Sequence, residues 1–144
     1  MLDAAPLSVL HRCQLAVDGK DSTALTDQID LVRDAFAAER ARAPWETHAA
    51  VVLPSSLYLL VSMGTEDEGI DRFSRLGETI ARHSETPLKF HWPMHTWIAR
   101  EDLEAVAREY FAMPVSWGLC AQPEDWPLSS IHRDPEPWTR AQKE

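Results

Sequence analysis

The residues best equipped for chemistry lie together in His91-Trp92-Pro93-Met94-His95-Thr96-Trp97, which holds two of the six histidines and two of the six tryptophans. The four-residue spacing of His91 and His95 is that of two imidazoles presented from one helix turn to a metal ion. Pro93 between them damages that geometry. A loop could still present both, with His48, Cys120, Glu101 or Asp102 closing a tetrahedron, but no second ligand pair recurs. The reading favoured for the pair is packing or hydrogen bonding at a strand end, and no metal or cofactor is expected.

Other chemistries have less support. Ser55, Ser56, Ser116, Ser129 and Ser130 lie in no Gly-x-Ser-x-Gly elbow. Cys120 is the least implausible nucleophile, but a thiolate needs a base or a helix N-terminus beside it. Adjacent acids such as Glu101 and Asp102 point different ways on a helix and make no converging pair. The turn Met63-Gly64-Thr65 precedes Glu66, Asp67 and Glu68, which would repel a phosphate. Thr65 and Glu68 read instead as a capping box.

The elements that must carry these residues can be read from periodicity. Leu7, Leu10, Gln14 and Val17 suggest a short first helix after Pro6. Leu25, Ile29, Val32 and Phe36 form the apolar stripe of a second helix that ends before Pro44. Residues 49–53 and 57–61 are compact apolar runs separated by Pro54-Ser55-Ser56, as in two neighbouring, largely buried strands. Ile70, Phe73, Leu76 and Ile80 mark a third helix stopping before Pro87. A strand is expected over 88–92, and a fourth helix opening near Arg100 turns Leu103, Val106, Tyr110 and Met113 inward. A weak edge strand is expected over 115–121.

From 122 to 144, four of the ten prolines, at 123, 127, 135 and 137, exclude long regular elements. The organisation expected is a single α+β domain over 1–121, two-layered, with a small mixed or antiparallel sheet packed by about four helices. An extended, Pro- and Trp-containing C-terminal arm over 122–144 is partly docked on it. Trp92 and Trp117, on the expected strands, should pack. Trp97, Trp126 and Trp138, in irregular or proline-flanked chain, could anchor an interface.

Composition narrows the function. At 144 residues with 44% apolar and 26% charged residues the chain can bury a core without a staple. Cys13 and Cys120, far apart in sequence, offer no disulfide framework, which suits the cytoplasm. The acidic N-terminus carries no export signal, and no segment is long enough to span a membrane. Fourteen bases against 23 acids, a net charge of −9, oppose direct binding to a nucleic acid backbone and favour a basic protein partner. The expectation is therefore a non-enzymatic acidic protein-binding domain of the inhibitor or immunity type. It would dock its partner through His91, His95, Trp97, Trp126 and Trp138. Two other readings stand beside it: a metal-dependent hydrolase or other small enzyme centred on His91 and His95, and a structural homo-oligomer, such as a homodimer, using the same aromatics on itself.

Overall fold

The computed structural model describes residues 9–19, 22–64 and 68–132. The capping box at 65–68 and Trp138 therefore lie outside the described residues or on their margin. Strand β1 (Val9–Ala16) is followed by a helical turn α1 (Ala24–Asp27), helix α2 (Ile29–Arg42), strands β2 (Glu46–Val52) and β3 (Ser56–Met63), and helix α3 (Glu68–His83). Strand β4 (Met94–Ile98), helix α4 (Leu103–Phe111) and the turn α5 (Met113–Ser116) complete the regular structure. The α+β class is as expected, and the sheet is wholly antiparallel, in the order β2-β3-β1-β4.

Strand β3 is buried along its whole length, which is why 57–61 is a continuous apolar run. Its alternate residues serve two cores. Leu57, Leu59, Val61 and Met63 join Cys13 and Leu15 of β1 beneath α2 and α3, while Tyr58 and Leu60 join Ala49 and Val51 of β2 beneath α4. Helices α2 and α3 are fastened by Glu39, whose carboxylate accepts hydrogen bonds from Arg72 Nε and Arg75 Nε, both at 2.9 Å. Arg72 also lies over the ring of the buried Trp45, 4.5 Å from its centroid.

Three expected elements differ. The segment expected as a first helix is β1: His11, Cys13, Leu15 and Val17 are buried at a period of two, with Arg12, Gln14 and Ala16 turned to the other face. The strand expected over 88–92 begins at Met94 instead, and the earlier segment touches the sheet through a single bridge between Phe90 and Val17. No strand forms over 115–121, because α5 and a turn at Gly118 (φ +76°) occupy it. Consequently Trp92 and Trp117, expected to pack, are 75% and 41% exposed.

Residues 122–132 run along the outer edge of β2. Val52 N donates to Leu128 O at 2.9 Å, Ala50 N to Ser130 Oγ at 2.8 Å, and Trp126 Nε1 to Val52 O at 2.9 Å. Among the described residues, no helix is long and apolar enough to cross a membrane.

Candidate nucleic-acid interface

The two faces of the sheet carry two different polar clusters. Beneath α3, His11 of β1 is fully buried, and its Nδ1 lies 2.8 Å from Nε2 of His95 on β4, one ring donating and the other accepting. The rings stack 5.0 Å apart, with Phe73 beside them and Trp97 edge-on to His95 at 5.9 Å. Gly69 of α3 makes the pairing feasible, since a Cβ there would stand 2.6 Å from His95 Nε2 and 2.7 Å from His11 Nδ1. Burial holds the His95 imidazole below its ordinary pKa.

His91 is not part of it. Its Nε2 sits 3.7 Å from Asp18 Oδ1 on an open surface, so His91 and His95 do not converge on a metal site. Among the described residues no group of three or more His, Cys, Asp or Glu side chains is placed to hold a metal ion. Trp97 is half exposed at the outer strand, and Trp126 is half-buried against β2. Cys120 donates to Gln122 O at 3.2 Å, and burial pushes the Cys13 thiol far up and keeps it inert.

The opposite face is the one that the sequence reading missed. Helix α4 lies across β2 and β3 and leaves much of the β1 and β4 half open. On that half Gln14 pairs in register with Tyr58 and Met94, and Arg12 with Leu60 and Thr96. Arg12 Nη2 donates to Glu109 Oε2 at 2.8 Å and Arg12 Nε to Tyr110 Oη at 3.3 Å, while the guanidinium sits 5.1 Å from the Tyr110 ring centroid. Gln14 Nε2 reaches Ser56 Oγ at 3.5 Å. Burial works against the charge on Arg12, but the bonds to Glu109 and Tyr110 outweigh it and secure the cation. The exposed Thr96 and Met94 stand opposite Arg12 and Gln14 on β4, and the exposed Trp117 is hydrogen-bonded to Tyr58, opposite Gln14 on β3. The face thus offers one fixed positive charge, amide and hydroxyl groups, and apolar surface, a combination that can hold a phosphate and stack a base.

The signal available in the sequence was the alternation of Arg12 and Gln14 with Cys13 and Leu15, which puts two polar side chains on one face of a strand.

No protein-family model matches the chain. It is 30% identical over 122 residues to the REP-associated tyrosine transposase of Escherichia coli, covering 78% of this chain and 70% of that relative. The chain belongs to the REP-associated tyrosine transposases. A putative REP-associated tyrosine transposase of Haemophilus influenzae is 26% identical over 152 aligned positions, covering 90% of this chain and 86% of the relative. The fold matches that of a REP-associated tyrosine transposase solved bound to a REP hairpin, with a TM-score of 0.78 and 21% identity, over 93% of this chain and 83% of that one.

Membership of the REP-associated tyrosine transposases overturns the expected inhibitor or immunity-type protein-binding domain. It also overturns the exclusion of nucleic acid as a partner, since a relative of the same fold is seen on a hairpin. The physical error was to let net charge speak for a local surface. A charge of −9 is a sum over the molecule, whereas binding is decided by the few groups that meet the ligand.

Proposed function

We propose that this chain binds a structured DNA segment, a hairpin with single-stranded flanks, on the open β1 and β4 half of the sheet. The observation that carries the reading is a framework shared over 93% of the chain with a transposase bound to a REP hairpin. The chemistry of the face agrees. Arg12 supplies a phosphate contact, Gln14 and Thr96 supply hydrogen-bonding groups, and Trp117 and Met94 supply surface against which unpaired bases can lie.

The acidic balance shapes how such binding works. With few cations on the face, little affinity comes from counterion release, so recognition rests on shape and stacking and its salt dependence is shallow. The site of action on this reading is the cytoplasm, where chromosomal DNA lies in a bacterium.

Fluorescence anisotropy tests this with hairpins selected from a library randomised in stem and loop, against unstructured single strands and plain duplex of the same length. Hairpins are expected to bind at least about 10-fold tighter than either control. In a Glu109→Gln background, where the guanidinium is released to a phosphate, Arg12→Gln should weaken hairpin binding about 5- to 8-fold at 0.1 M salt, the worth of one phosphate contact. Equal binding to all three DNA forms, or no effect of Arg12→Gln in that background, would count against the proposal.

A further inference from the structure

We infer that this chain captures DNA without a covalent tyrosyl step, its two tyrosines serving as the strut that fastens α4 to the sheet. The inference rests on the DNA reading above and concerns the chemical step after binding. A tyrosine hydroxyl that cuts DNA attacks a backbone phosphorus, forms an O–P bond, expels a deoxyribose oxygen as a hydroxyl and gives its phenolic proton to a base. Such an attack needs the oxygen in line and within about 3–3.5 Å of the phosphorus.

The whole chain has two tyrosines, Tyr58 and Tyr110, and both are described. They are 7% and 2% exposed, and both belong to the apolar cluster between the sheet and α4, with Val51, Leu53, Leu60 and Val106. Their rings meet edge to face, 5.2 Å between centroids. Each hydroxyl already has a partner: Arg12 Nε donates to Tyr110 Oη at 3.3 Å, and Tyr58 is hydrogen-bonded to Trp117. Bringing the Tyr58 oxygen to a phosphodiester would mean lifting α4 from β3 and exposing the cluster, and the Tyr110 oxygen lies covered beside Arg12, whose more exposed guanidinium a phosphate would meet first.

The electrostatics agree with the geometry. Burial, assisted by the charge of Glu109, raises the pKa of Tyr58, and burial raises that of Tyr110 despite the pull of Arg12. An activated phenol requires the opposite shift.

The test uses the full chain and a selected hairpin probe carrying single-stranded flanks and a different fluorophore at each end, with magnesium and manganese present. Native gels read retention, and denaturing gels read strand length and any detergent-stable protein–DNA adduct. Wild type is expected to retain the probe, and wild type, Tyr58→Phe and Tyr110→Phe are all expected to yield neither a shortened strand nor an adduct. Nitration of the native protein by tetranitromethane should leave both tyrosines unmodified, with reaction only in urea. A shortened strand or an adduct would overturn the inference, and loss of that product in one phenylalanine variant would identify the nucleophile. Ready nitration of either native tyrosine would also overturn it. Failure to retain any selected probe would overturn the DNA reading instead, a result that the native gel separates from cutting.

Discussion

Glu109 offers the sharpest perturbation of the proposed interface, because it spends its charge on the very cation that DNA would use. Its carboxylate accepts from Arg12 Nη2 at 2.8 Å, and the two side chains remain 47% and 29% exposed. Glu109→Gln removes one negative charge from the face and leaves the guanidinium able to engage a phosphate. A phosphate contact contributes a slope of about −0.9 in log affinity against log salt for duplex, or about −0.7 for single strands. At 0.1 M salt that corresponds to about an 8-fold or about a 5-fold gain in affinity. Glu109→Gln should therefore tighten hairpin binding about 5- to 8-fold and steepen the slope by about 0.7–0.9. The exposed pair contributes at most about 1 kcal/mol to stability, so folding should be almost unchanged. Anisotropy titrations of both proteins at four salt concentrations, with urea denaturation alongside, measure each quantity. Unchanged affinity with an unchanged slope would show that DNA does not meet this face.

Other parts of the fold make separate predictions. Glu39→Gln leaves Arg72, whose side chain is 4% exposed, without its carboxylate, and should cost about 3–5 kcal/mol in urea denaturation. The same group makes the fold acid-sensitive. Burial pushes the Glu39 carboxyl up, but hydrogen bonds from Arg75 and Arg72 outweigh it and hold the folded pKa low, so the stabilisation is present above about pH 4.3 and is lost as pH falls through the folded value. His48, whose Nε2 is 2.6 Å from Ser62 Oγ, is pushed down to about 4 by burial and by Arg100. The unfolded chain therefore binds the extra proton first, and up to about 3 kcal/mol of stability present above about pH 6.5 should fade toward pH 4. Denaturation midpoints should show that slope in the wild type and a flatter one in His48→Gln. Gly69→Ala should displace the His95 ring from His11, visible as shifted imidazole resonances. Crowding of about 1–3 kcal/mol, less about 0.5–1 kcal/mol of helix gain, gives a net loss of up to about 2.5 kcal/mol.

Residue type and spacing alone determined the α+β class, the paired apolar strands around 49–53 and 57–61, and the stripes of α2, α3 and α4, because the strands are compact apolar runs of strand length and the helices have one dominant period. They did not determine β1. Leu7, Leu10, Gln14 and Val17 fit a helix while Cys13, Leu15 and Val17 fit a strand, and only pairing with β3 on one side and β4 on the other chose between them. The site came out of that choice. As a strand, β1 carries His11 to His95 beneath one helix and Arg12 to Glu109 and Tyr110 beside another, contacts spanning 84 to 98 residues of sequence. Proximity in sequence drew attention to His91 and His95, but one points to solvent near Asp18 and the other into the protein. Side chains distant along the chain converge only when a sheet sets their register, and it is there that the tertiary structure decided which residues of this chain share a face.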